Sequence, residues 1–133
     1  MQDSLLWANS YGVPLIVTEN GIADAADVNR PRYLAEHLAA VAAAIQRGAN
    51  VLGYFHWSII DNFEWAGGFC PKLGLYAVDF TNPTRPRTAR ASAGVYRAII
   101  DANEVSDALL VSQPAYRRPS SFCALSPVSD AGP

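Results

Sequence analysis

Two short runs, PLIVTE at 14–19 and NVLGYFHWSIID at 50–61, are apolar almost throughout and show no alternation of polar and apolar residues. A strand with one wet face alternates, so each run predicts a strand of a parallel sheet covered on both faces. Between them Leu34, Leu38, Val41 and Ile45 recur at helical spacing in an alanine-rich stretch. Pro31 sits where a first-turn proline is tolerated, and Gly48 after Gln46 and Arg47 supplies a C-terminal stop. Strand, loop, helix and strand in that order predict a βαβ unit, because parallel neighbours require a crossover connection.

The flanks fit the same plan. SLLWANSY, 4–11, reads as the tail of a helix stopped by Gly12 and Pro14. GLYAVDF, 74–80, predicts a small hairpin with its surroundings, and TARASAGVYRAIIDA, 88–102, predicts a further helix. From 103 to 133 the chain turns rich in Ser, Pro and Ala without periodicity, and a disordered tail is expected there. Residues 1–102 therefore form the folded portion. Two parallel strands do not make a sheet covered on both faces, so the sequence reads as part of something wider, with exposed edges that favour aggregation.

Several functions are disfavoured. With a net charge of -2 and its ten basic residues scattered apart from a small cluster at Arg85, Arg87 and Arg90, the chain offers no stripe for nucleic acid. Its apolar runs are far shorter than the ~20 residues that span a bilayer, and no signal-peptide pattern opens it, so no membrane partner and a cytoplasmic location are expected. Cys70 and Cys123 are read as free thiols, and His37 and His56 lie far from each other and from either cysteine, so neither a metal nor a cofactor is expected.

Glu19, in TENG, and Glu64, in WSIIDNFEWAGGF, each stand just beyond an apolar strand run. In a (β/α)8 barrel that is where chemistry sits. An acid before Asn-Gly is by itself more often a turn residue. The second stretch adds weight, because Trp57, Phe63, Trp65 and Phe69 crowd around Asp61, Asn62 and Glu64. A sugar needs that mixture: an apolar C–H face to stack on indole, and hydroxyls that call for carboxylate, amide and indole N–H partners.

VTENG, then GYFHWSIIDNFEWAGGF, then GLYAVDF, in that order, closely resemble the C-terminal end of family 1 glycoside hydrolases, the β-glucosidase group, over roughly residues 4 to 101. The resemblance implies an α/β chain equivalent to about the last two βα units of a (β/α)8 TIM barrel. It implies that Glu19 is the nucleophile that forms a glycosyl-enzyme ester. It implies too that Trp57 walls the sugar site, that Glu64 and Trp65 bond the hydroxyls of the non-reducing sugar, and that the Trp57–Ser58 peptide is cis. Relatives that cleave 6-phosphorylated glycosides usually carry serine in place of Glu64, so a neutral β-glucoside or β-galactoside is the expected substrate.

The pattern is incomplete. Retaining glycosidases pair two carboxyls about 5 to 5.5 Å apart. The family's second carboxyl lies in a T-x-N-E-P motif that this sequence does not contain, and Asp61 reads as a structural partner. Relatives usually have phenylalanine where this chain has Leu73. The expectation is a β-glycosidase fragment without its acid/base and inactive alone. The alternatives are a non-catalytic remnant that binds or complements another barrel fragment, and a small α/β domain with no role on sugars.

Overall fold

The computed structural model describes residues 1–117. Helix α1 (Gln2–Asn9) leads to strand β1 (Leu15–Asn20), helix α2 (Arg30–Gln46) and strand β2 (Val51–His56). A hairpin of β3 (Tyr76–Val78) and β4 (Arg87–Ala89) follows, then helix α3 (Ala91–Ala102) and a short α4 (Asp107–Ser112). β1 and β2 pair in parallel, with Leu15 beside Val51, Val17 beside Tyr54 and Asn20 beside His56. β3 and β4 pair antiparallel. The expected βαβ unit and hairpin are both present.

Leu5, Val41, Ala44 and Ala49 form the core, with Met1, Leu6, Leu15, Val17, Val51 and Tyr54 packed on it. Helices α1 and α2 thus cover one face of the parallel pair. The other face is open: Ile16 is 53% exposed, Leu52 67% and Phe55 61%. Burial of both strands on both faces, as their composition predicts, is not met among the described residues, because there the helices that pack on the pair lie on one side. The apolar side chains on the second face have nothing from these 117 residues to cover them.

The start of α2 is capped in an unexpected way. Its N-cap Asn29 makes no side-chain cap; instead Asp24 Oδ2 accepts from the backbone N–H groups of Asn29 (2.7 Å) and Arg30 (3.0 Å). A carboxylate there satisfies two orphan donors and meets the positive end of the helix dipole. The Asn29 side chain turns the other way and exchanges two hydrogen bonds with the backbone of Arg117, at 2.9 and 2.7 Å. Tyr116 donates to Glu36 at 2.9 Å. So the segment expected to be a disordered tail, 103–133, contains helix α4 and a strap that lies against α2 as far as Arg117; the remainder of that expectation lies outside the described residues.

Cys70 is disulfide-bonded, which corrects the expectation of a free thiol, and no described cysteine is free. Cys123 lies outside the described residues. Among the described residues no helix is long and apolar enough to cross a membrane.

Candidate active site

The ends of β1 and β2 meet at one place. Asn20 Oδ1 accepts from the Tyr54 hydroxyl at 2.8 Å and pairs with His37 Nδ1 at 2.7 Å. Tyr33 stacks on His37, their ring centroids 3.9 Å apart. The Asn20 carbonyl accepts from the Trp57 N–H at 3.0 Å. Next to it, a Cβ placed on Gly21 would lie 1.7 Å from the Trp57 carbonyl oxygen. The Asn-Gly that follows Glu19 therefore has two distinct tasks: the asparagine bolts the tip of β1 to α2 and β2, and the glycine lets the backbone of the Trp57 loop come into contact. Glu19 itself is exposed at the end of this strand.

Beyond β2 the Trp57–Ser58 peptide is cis. Trp57 Nε1 donates to Glu64 Oε1 at 3.2 Å, joining two of the four expected site residues directly. Trp65 is 85% exposed and takes φ +48°, a left-handed conformation that is uncommon for a bulky side chain and clusters at functional sites.

Asp61 has a different role. Its carboxylate is fully buried and receives both arms of Arg90, each at 2.9 Å, together with the Gly74 N–H at 3.0 Å. Burial pushes the Asp61 pKa up, but the Arg90 and Gly74 hydrogen bonds outweigh it and hold the group below its ordinary 3.8. The Ser58 hydroxyl donates to the Ile60 carbonyl at 2.7 Å, and Asn62 Nδ2 donates to Ser58 Oγ at 3.2 Å. The polar residues crowded among the aromatics thus divide: Asp61, Ser58 and Asn62 shape the loop, and Glu64 stays at its surface beside Trp57. The partly buried Arg90 had no signal in the sequence beyond its place in a small basic cluster.

His56, the last residue of β2, is held neutral. Burial lowers its pKa from 6.5 to about 4; the Leu73 and Asn20 carbonyls nearby pull the other way, yet neither ring nitrogen reaches hydrogen-bond geometry. In the unfolded chain the ring protonates near 6.5 and in the folded one only near 4, so between these values the unfolded state carries more protons. Stability is expected to be full above pH 6.5 and to fall by about 2 kcal/mol as pH drops to 4, after allowance for the ring's partial solvent access. Urea titrations at pH 7, 5 and 4 check this, and His56→Phe should flatten the decline.

Among the described residues no group of three or more His, Cys, Asp or Glu is arranged to hold a metal ion.

A parallel β pair with its helices outside and polar and aromatic side chains just beyond the strand ends is the arrangement of a sector of a (β/α)8 barrel. The comparisons bear this out: the model of glycosyl hydrolase family 1 matches residues 2–105, and the chain belongs to that family. The crystal structure of a hyperthermophilic β-glucosidase from Pyrococcus furiosus is 48% identical and superposes with a TM-score of 0.78, over 82% of this chain and 23% of that one. A β-galactosidase of Pyrococcus woesei is 47% identical over 107 residues, covering 80% of this chain and 21% of that protein. A galactolipid galactosyltransferase of Arabidopsis thaliana is 49% identical over 94 residues, 71% of this chain and 15% of that protein. The chain spans about a fifth of the length of the first two and less of the third. The fold is accordingly α/β, equivalent to the C-terminal part of the barrel, and the described residues form no closed barrel.

Proposed function

We propose that this chain supplies the nucleophile and part of the sugar-binding wall of a retaining β-glycosidase that hydrolyses O-glycosidic bonds of neutral β-glycosides. Glu19 attacks the anomeric carbon, the leaving-group oxygen departs with a proton from an acid that these residues do not provide, and water later releases the sugar from the glycosyl-enzyme. Trp57 stacks on the sugar, while Glu64 and Trp65 take its hydroxyls. The observation that carries the reading is the Trp57–Glu64 hydrogen bond. It orients one carboxylate oxygen toward the indole and leaves the other for a hydroxyl group. The negative charge of Glu64 argues against a 6-phosphorylated substrate.

Without a T-x-N-E-P carboxyl the chain does not turn over by itself. With p-nitrophenyl β-D-glucoside, the purified chain and its Glu19→Gln variant are both expected to be silent. Turnover by the wild-type chain that disappears in the variant would show a second carboxyl at work and would end the claim of inactivity. The open apolar face of β1 and β2 favours a companion reading, in which the chain binds and completes another barrel segment rather than acting alone.

A further inference from the structure

We propose that Arg30, which no motif of the site contains, is the positioning residue that locks the loop after Glu19 to the loop that carries Glu64. The proposal rests on the reading of Glu19, Trp57 and Glu64 given above.

Arg30 is completely buried at the start of α2. Its Nη2 donates to the carbonyls of Asp24 and Lys72, both at 2.6 Å, and reaches Ile22 at 3.4 Å. Its Nη1 pairs with Asp27 Oδ1. The other oxygen of Asp27 accepts from the Ser92 N–H at 2.8 Å, at the start of α3. One guanidinium thus holds three segments: the loop that continues from Glu19, the return limb of the 57–75 loop, and the first turn of α3. The Lys72 carbonyl accepts a second donor from the first loop, the Asp24 N–H at 2.9 Å.

This clasp sits where the 57–75 loop comes back to the strand tips. The outgoing limb is fixed where Trp57 meets Asn20 and Gly21. The return limb is fixed at Lys72 by Arg30, and its neighbour Leu73 accepts from the Ser58 N–H at 3.2 Å. Glu64 and Trp65 hang between these two anchors. With the return limb released at Lys72, the loop keeps its internal ties, Ser58 to Leu73 and Leu75 and Asp61 to Gly74, but loses its side-chain link to the loop after Glu19.

The chemistry explains the residue type. A guanidinium is a planar fork with five donors, able to reach carbonyls from separate segments and a carboxylate together. An ammonium is a point charge with three donors on a flexible stem. Asp27 neutralises the buried charge, without which the burial would be prohibitive.

Amide hydrogen exchange on the whole chain, read residue by residue by NMR, tests this. In Arg30→Lys the amide of Asp24, which joins the two loops, and those of Ser58 and Leu75, which join the two limbs, should exchange at least about tenfold faster than in the wild type, while Leu38 to Ala44 of α2 change far less. The Trp57 indole resonance should move toward its solvent-exposed position. A uniform acceleration of all these amides would show a general stabilising role and overturn the proposal; so would no change. Should Arg30→Lys fail to fold, Asp27→Asn decides, since it leaves the guanidinium and weakens its tether. The same three amides should then accelerate selectively, and a uniform change or none contradicts the proposal. Ligand-observed NMR with methyl β-D-glucoside on the wild type is a separate arm: absence of binding there counts against the sugar-site reading and leaves the exchange result to judge Arg30.

Discussion

Gly21→Ala is expected to destabilise the chain by about 3 kcal/mol or more and to separate the tips of β1 and β2. The added methyl would fall 1.7 Å from the Trp57 carbonyl oxygen, with the Trp57 carbonyl carbon at 2.8 Å. These are backbone atoms, so no side-chain rotation relieves the clash. One of the two limbs must retreat, taking with it the Trp57 N–H to Asn20 hydrogen bond. Gly94→Ala is the matched control: it stands in α3 with nothing within 4 Å of the new carbon, and there alanine should stabilise by about 0.5–1 kcal/mol. Urea unfolding of both variants gives the comparison. If Gly21→Ala is as stable as the wild type, the close approach of the two strand tips is wrong.

Arg90→Ala is expected to have a comparable or larger effect, about 3–5 kcal/mol. Asp61 is 1% exposed at its side chain and Arg90 10%, so truncating the arginine strands a desolvated carboxylate that, among the described residues, retains the Gly74 N–H. Arg90 Nη1 also donates to the Gly74 carbonyl at 2.6 Å, and that acceptor loses its partner too. The loss should be smaller at low pH, where protonation of Asp61 in the variant relieves the buried charge. In the wild type the sign is the reverse: Asp61 titrates below 3.8 when folded, so its contribution is present above that value and disappears as pH falls through the lowered folded pKa. Arg90→Ala and Asp61→Asn should show strong coupling in a double-mutant cycle. Additive losses would mean that the two side chains do not depend on each other.

The parts of the fold that were legible in the sequence are those governed by local rules. Helix α2 announces itself by apolar spacing and a glycine stop, and β1 and β2 by dense runs of β-formers. Burial was misjudged for a physical reason: composition records what a strand needs to bury, whereas exposure depends on what is present to cover it, and Ile16, Leu52 and Phe55 stay open. The candidate site divides the same way. Glu19, Trp57, Glu64 and Trp65 stand in contiguous motifs, so they can be singled out by eye. Arg30, Asp27 and Arg90 act between segments far apart in sequence, and each looks in the sequence like an ordinary charge on a helix or loop. The tail was misjudged for the first part of its length because its composition is polar, while its order comes from bonds to Asn29 and Glu36 on another element.

The proposed nucleophile is the claim on which the functional reading turns, and complementation measures it most directly. The chain is mixed with a family 1 polypeptide that ends before its own T-E-N-G strand and contains the T-x-N-E-P carboxyl, and release of p-nitrophenol from the β-D-glucoside is followed. The expected result is turnover in the mixture alone, abolished by Glu19→Gln and restored in part by added azide, a small nucleophile able to replace a missing carboxylate. Turnover in the mixture that survives Glu19→Gln unchanged, or no turnover from a complex shown to have assembled, would contradict the assignment of Glu19.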